Sequence, residues 1–241
     1  MTDTMTSQSP ATQPSPGLLT RLIGVIFSPR EAFAAIVARP KWLGAIAVSV
    51  LVLGVAQFTL LSTDVGKQVA LDQQVSFAEG LGITISDEAY AAIEQRMETA
   101  RYTSPIGTML AIPLFMTISA GILHVMFGLI GGGNGTYKQV YAISAHTAII
   151  SGLQLLFTTI VTIAAGRSAG ANLAVFTPTL DDTTFVYKFL SYIDLFYVWS
   201  TFVTAVGLGV LYKRRTGPIA MVLLGIYFVI AAIIAYVMSG S

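Results

Sequence analysis

Five stretches of the chain hold apolar runs long enough to cross a bilayer, which takes about 20 residues in a helix. They are 43–62, 106–130, 140–165, 189–212 and 219–238. The first and last contain no ionisable charge. The second and third carry one histidine each, His124 and His146, and the fourth carries Asp194 near its start. The pattern predicts an all-α integral membrane protein, a five-transmembrane-helix bundle. Proline within such runs, Pro113 for example, is tolerated because neighbouring helices re-satisfy the freed backbone groups.

The segments between these runs have characters of their own. Residues 1–17 are rich in Ser, Thr, Gln and Pro with a single charge, Asp3. They cannot bury enough apolar surface to offset ordering, so a disordered tail is expected. Residues 18–40 form an amphipathic region. Leu18, Leu19, Leu22, Ile23 and Ile26 share one face, and Phe33, Ile36 and Val37 continue it after Ser28-Pro29. Ser28 reads as an N-cap, Pro29 as the first helical residue and Glu31 as the partner in a capping box. With Arg21, Arg30, Arg39 and Lys41 around it, the region is too charged to span. It reads as an interfacial helix on the membrane surface, or as a helix packed on the protein's own face.

The connection 63–105 holds seven acids against three bases. Ser86-Asp87-Glu88 reads as a helix start, and Tyr90, Ile93 and Met97 give that helix an apolar stripe suited to rest on the mouth of the bundle. Between the second and third runs lies the joint Gly131-Gly132-Gly133-Asn134-Gly135, followed by Thr136-Tyr137-Lys138. No Gly-Lys-Ser/Thr ending follows it, so it is not a phosphate loop. A tight turn with close backbone approach is expected. Asn134-Gly135-Thr136 also matches the short glycosylation sequon. Ala205 with Gly209, and Ala231 with Ala235, place small residues four apart for close helix packing.

Composition agrees with lipid as part of the solvent. Of 241 residues 54% are hydrophobic and 10% charged, with mean hydropathy +0.75. Soluble domains average about 25% charged residues. A net charge of +1 argues against a nucleic-acid partner, and the absence of cysteine excludes thiolate metal sites and cysteine nucleophiles. No hydrolase, zinc-protease or nucleotide motif is present, so no enzyme activity and no cofactor are expected.

Loop charge sets the expected orientation. With five spans, eight basic residues (Arg21, Arg30, Arg39, Lys41, Lys138, Lys213, Arg214, Arg215) fall on one side against five on the other. The positive-inside rule then puts the N-terminus in the cytoplasm and the C-terminus outside.

Two polar groups are candidate sites. Asp194, Gln57 and Gln154 fall in the outer halves of their helices and could form one cluster, since intramembrane ionisable residues are functional hypotheses by default. The alternative places Asp194 at the interface, paired with Lys188 or hydrated. His124 and His146 lie at similar depth in neighbouring helices and could face each other as a relay or weak metal pair; the alternative is satisfied packing histidines.

The residues also carry a resemblance. Leu22-Ile23-Gly24-Val25-Ile26-Phe27-Ser28-Pro29-Arg30-Glu31-Ala32-Phe33 with Pro40, the joint from Gly132 to Gln139 with Tyr141-Ala142, and Tyr197-Val198-Trp199 before a basic turn are together similar to the bacterial branch of the YIP family, the Ypt/Rab-interacting membrane proteins. The likeness covers most of 18–238. It implies a five-helix membrane domain over 41–241 with a cytoplasmic N-terminus, set in a bacterial inner membrane. For eukaryotic members the resemblance implies contact with small GTPases, and those members carry a longer cytoplasmic N-terminal region with an Asp-Leu-Tyr-Gly type motif. Residues 1–17 lack that motif, so this partner is not carried over. The expected partners are the lipid bilayer, other membrane proteins and a second copy of the chain. Two functions remain: a membrane scaffold or adaptor, and a small transporter or channel built around Asp194.

Overall fold

The structure, a computed structural model, describes residues 16–239. The expected disordered tail lies outside these residues except for Pro16 and Gly17. Among the described residues the chain is helical, with α1 (Leu18–Phe27), α2 (Pro29–Ala38), α3 (Leu43–Leu61), α4 (Asp64–Gly80), α5 (Asp87–Leu123), α6 (Tyr137–Ala165), α7 (Phe185–Tyr192), α8 (Leu195–Leu211) and α9 (Thr216–Ser239). A π-helical segment, His124–Ile130, extends α5, and a 3-10 turn, Leu173–Phe176, precedes α7.

Four helices are long and apolar enough to cross a membrane: α3, α5 with its π-helical end, α6 and α9. The 17-residue α8 is apolar but shorter. The outward faces of the second half of α5 and of α9 are largely aliphatic and aromatic, among them Leu110, Leu114, Phe115, Met221, Val229 and Ile233. Exposed apolar surface on this scale marks contact with lipid.

α6 is the centre of the bundle. It packs on α3, α5 and α8 and meets α1 and α2 at one end. Gly207 of α8 lets this happen: a Cβ there would stand 2.6 Å from Ile143 and 3.3 Å from Phe33, so α2, α6 and α8 meet at a point only glycine fits.

One open reading is decided and two expectations need correction. First, of the two surfaces open to the leading helices, their buried residues pack on the protein's own helices. Val25, Phe33 and Ile36 are fully buried among α6 and α8. Full burial of each such side chain stabilises by about 1.5–3 kcal/mol. α1 leaves Leu19, Ile23 and Phe27 outward instead. Ser28 does precede α2 with Pro29 in its first turn, but it makes no side-chain cap bond, so the capping box with Glu31 is absent.

Second, no helix begins near 106. The run Asp87–Ile130 is continuous for 44 residues through Pro105 and Pro113. At 1.5 Å per residue it is about 66 Å long, twice the bilayer core. Its first half therefore projects as a stalk, tied to α4 by the Lys67–Glu98 ion pair at 3.3 Å. The helix lying on the bundle mouth is α4, which touches α6 and α9 and brings Gly80 against Met238.

Third, 189–212 is not one helix. It breaks at Ile193-Asp194 because Asp194 is a better N-cap than an interior residue.

Candidate functional site

α6 packs on both α5 and α8 and forms the floor of a cleft between them, of about 680 Å³. Its lining is unusual for apolar helices. α6 contributes Ser144, Thr147, Ser151, Gln154 and Thr158, whose alternating three- and four-residue spacing makes a single helical stripe. α8 faces it with Tyr197, Ser200, Thr201 and Thr204, and α5 adds Ser119. Leu53, Phe115 and Met116 supply an apolar rim. No carboxylate, ammonium, guanidinium or imidazole lines the cleft.

Some of these hydroxyls are already satisfied. Thr147 donates to the Ile143 carbonyl at 3.0 Å and Ser200 to the Tyr197 carbonyl at 3.0 Å. The Gln154 carboxamide, with two N–H groups and a carbonyl, has no hydrogen-bond partner among the described residues. The Ser144 hydroxyl is buried and unpartnered as well. In hydrocarbon an unsatisfied polar group costs several kcal/mol.

The three members of the expected polar cluster are distributed rather than joined. Gln57 accepts from the Thr108 hydroxyl at 2.8 Å, linking α3 to α5. Gln154 lines the cleft. Asp194 caps α8, its carboxylate accepting from the N–H groups of Phe196 at 2.7 Å and Tyr197 at 3.2 Å. No hydrogen bond connects the three to one another, and Lys188 makes no ion pair with Asp194.

The break at Asp194 is held from two sides. The Tyr227 hydroxyl, from the middle of α9, accepts from the Asp194 N–H at 3.0 Å and donates to the Tyr192 carbonyl at 2.6 Å. The segment before α7 pairs with it: Leu173 N–H donates to Ile193 and Leu195 N–H to Ala171, at 3.0 and 2.9 Å. Val198 N–H bonds the Asp194 carbonyl at 3.0 Å. The first four amides of α8 thus all have internal acceptors, and its N-terminus offers no free anion site.

The histidines are separate. His146 is fully buried, with Nδ1 2.8 Å from the Ala142 carbonyl, which makes Nδ1 the donor and leaves Nε2 unpartnered. His124 opens the π-helical segment and meets the Tyr137 ring edge-on at 6.2 Å. No ring contact or hydrogen bond joins the two. No group of three or more metal-ligating side chains exists among the described residues.

The glycine joint gathers chain from several elements. Gly132 adopts φ +68, the left-handed region that glycine enters without strain. A Cβ on Gly133 would stand 2.2 Å from the Tyr212 ring, and one on Gly135 2.8 Å from Leu211 and Tyr212. Gly131 offers its carbonyl to the Arg214 guanidinium. Asn134 separates the run Gly131-Gly132-Gly133 from Gly135.

The chain matches the family model of the Yip1 domain over residues 23–238. It belongs to the Yip1 domain family. The matched region of this Yip1 domain runs from α1 to the end of α9, so cleft, helix break and joint all fall inside it. No curated protein and no solved structure matches the chain.

Two devices of this Yip1 domain escaped the sequence reading although their signals were present. Thr136 and Gln139 form the capping box of α6, with Gln139 N–H on the Thr136 hydroxyl at 3.4 Å and Thr136 N–H on the Gln139 carbonyl at 2.9 Å. The Gln139 amide also donates to the Val37 carbonyl at 3.0 Å, fastening the end of α2 to the joint. The hydroxyl stripe of α6 was the other missed signal, readable as polar positions at helical spacing inside an apolar run.

Proposed function

We propose that this integral membrane protein is an adaptor that receives a hydrogen-bonding transmembrane segment, from a partner or a second copy, in the cleft between α5, α6 and α8. Its role is binding and not catalysis. The observation that carries the reading is the Gln154 carboxamide, held within a membrane-crossing helix without a protein partner. A polar helix seated there would satisfy it, as small and hydroxyl residues do at helix–helix contacts in lipid. An uncharged lining suits such a partner better than an ion path. The proposal takes α8 as a fifth span in a bacterial inner membrane, with the N-terminus cytoplasmic and the C-terminus outside.

The test is site-specific photo-crosslinking in native membranes. A photoreactive residue replacing Thr201 should give discrete protein adducts that Gln154→Leu removes without loss of fold. The same group at lipid-facing Leu114 should label lipid alone. Lipid-only labelling at both positions would sink the proposal.

A second reading, a small transporter, has the break between α7 and α8 behind it, because discontinuous helices shape substrate sites in transporters. Asp194 then marks the path. The internal satisfaction of the α8 amides weighs against it. Solute flux into proteoliposomes that Asp194→Asn abolishes would put transport first.

A further inference from the structure

The end of the bundle that holds α1, α2 and the α8–α9 turn is basic. Arg30, Lys213, Arg214 and Arg215 converge on a cleft of about 490 Å³ floored by Ala34, Gly209 and Val210. The Arg214 guanidinium is engaged by the Gly131 carbonyl. Arg30, Lys213 and Arg215 are exposed, and none has an acidic partner among the described residues, where the ion pair is Lys67–Glu98 on the stalk.

Lys213 carries a second signal. Its φ is +52, the left-handed region, in a position where Arg214 N–H bonds back to the Gly209 carbonyl at 2.9 Å to close α8. Glycine is the usual residue at such a helix end, since a side chain there is strained. A lysine in this place lines the cleft at the expense of backbone ease.

The cleft lies at the membrane boundary. α9, a membrane-crossing helix, begins at Thr216, one residue after Arg215. Arg30 also lines an adjoining groove of about 340 Å³ between α2 and the bundle, walled by Phe202, Val206 and Thr216. Glu31, the one acid of that groove, is exposed and makes no ion pair. Arg30 joins the two hollows: three unpaired cations line the first, and Phe202 and Val206 line the second. Charge and shape together suit a phosphate with an acyl chain below it.

We propose that this cleft binds the phosphate of one anionic phospholipid, held by Arg30, Lys213 and Arg215, with an acyl chain lying along Phe202 and Val206. Basic pockets between helices at the membrane boundary attract anionic headgroups. The site is independent of the α5–α6–α8 cleft.

The experiment uses the full chain in nanodiscs of equal phosphatidylglycerol and phosphatidylcholine, read by native mass spectrometry. The wild type should retain phosphatidylglycerol over phosphatidylcholine. Each basic residue near the surface contributes about fivefold, so R30Q/R215Q should lower that retention by about 25-fold. The pair R39Q/K41Q, of equal charge change at the same end, should leave it in place. Lys213→Gly should lose about fivefold while its melting temperature holds or rises, which separates binding from folding. Absence of a phosphatidylglycerol preference in the wild type overturns the proposal, as does equal loss in both double variants, which means diffuse surface charge. Stabilisation by inorganic phosphate in pure phosphatidylcholine nanodiscs, without phosphatidylglycerol retention, overturns it too and assigns the cleft to a soluble phosphate compound.

Discussion

Tyr227→Phe removes one oxygen and isolates the helix break from everything else. The phenyl ring keeps its place against Tyr197, whose ring centroid is 6.2 Å away, so packing is preserved. What is lost is the acceptor of the Asp194 N–H and the donor to the Tyr192 carbonyl. Both are backbone groups at a discontinuity, opposite the middle of the most apolar helix, and neither has a helical alternative. A buried polar group left unsatisfied costs about 1–3 kcal/mol, so the pair predicts about 2–6 kcal/mol. Side-chain hydrogen bonds between membrane helices average only about 0.6 kcal/mol, because the unfolded state in lipid finds other partners. The two expectations are separable. Unfolding should be followed in mixed micelles, with hydrogen exchange read at the Asp194 amide. A loss above about 2 kcal/mol with faster exchange at that amide supports the break as a stapled structure. A loss below about 1 kcal/mol with unchanged exchange would falsify the reasoning.

The remaining predictions concern the joint, the core and one loop. Gly132→Ala should cost about 1–2 kcal/mol through left-handed strain alone, since nothing stands within 4 Å of its Cβ position. Gly133→Ala should cost about 1–3 kcal/mol through collision with Tyr212 and shift the Tyr212 environment, which a thermal melt with Tyr212 NMR would resolve from the first. Phe33→Ala should destabilise by about 3–5 kcal/mol in a chemical melt, and Phe33→Asp should abolish folding rather than merely weaken membrane attachment. Hydrogen bonds from the Thr183 N–H and hydroxyl hold the Asp181 carboxylate below its ordinary range. Because its folded pKa is depressed, the order it lends to the 181–184 turn is full above the usual carboxylate pKa and fades as pH falls. An NMR titration that finds Asp181 at or above the usual value would overturn that assignment.

Much of the molecule was readable from residue order. Apolar runs marked α3, α6 and α9, since lipid demands length and composition that no soluble helix needs to show. Glycine density marked the joint, and basic residues marked one end of the chain's membrane segments. Where sequence reasoning strayed, a local signal was overruled by neighbours. Residue order puts the end of a connection at 105 and the start of a span at 106, yet one continuous helix carries Pro105. Asp194 looked like a charge inside a span, yet its carboxylate is the cap that begins α8, and Tyr227 on another helix together with the 171–173 segment satisfies the backbone at the break.

The tertiary structure decided which faces meet. The stripe Ser144, Thr147, Ser151, Gln154 and Thr158 is a property of α6 alone, but it becomes a cleft because α5 and α8 stand on either side. Val25, Phe33 and Ile36 have the spacing of any amphipathic helix; whether such a face meets lipid or protein is not written in its period. Arg30 and Lys213 lie far apart in the chain and come to line one cleft only through the packing of α2 on α8. The sequence by itself determined that this is a membrane protein of apolar helices, because the cost of unsatisfied backbone in hydrocarbon leaves few alternatives. The pairing of helices, and with it every candidate site, rests on side-chain complementarity between distant segments, which periodicity along one chain cannot encode.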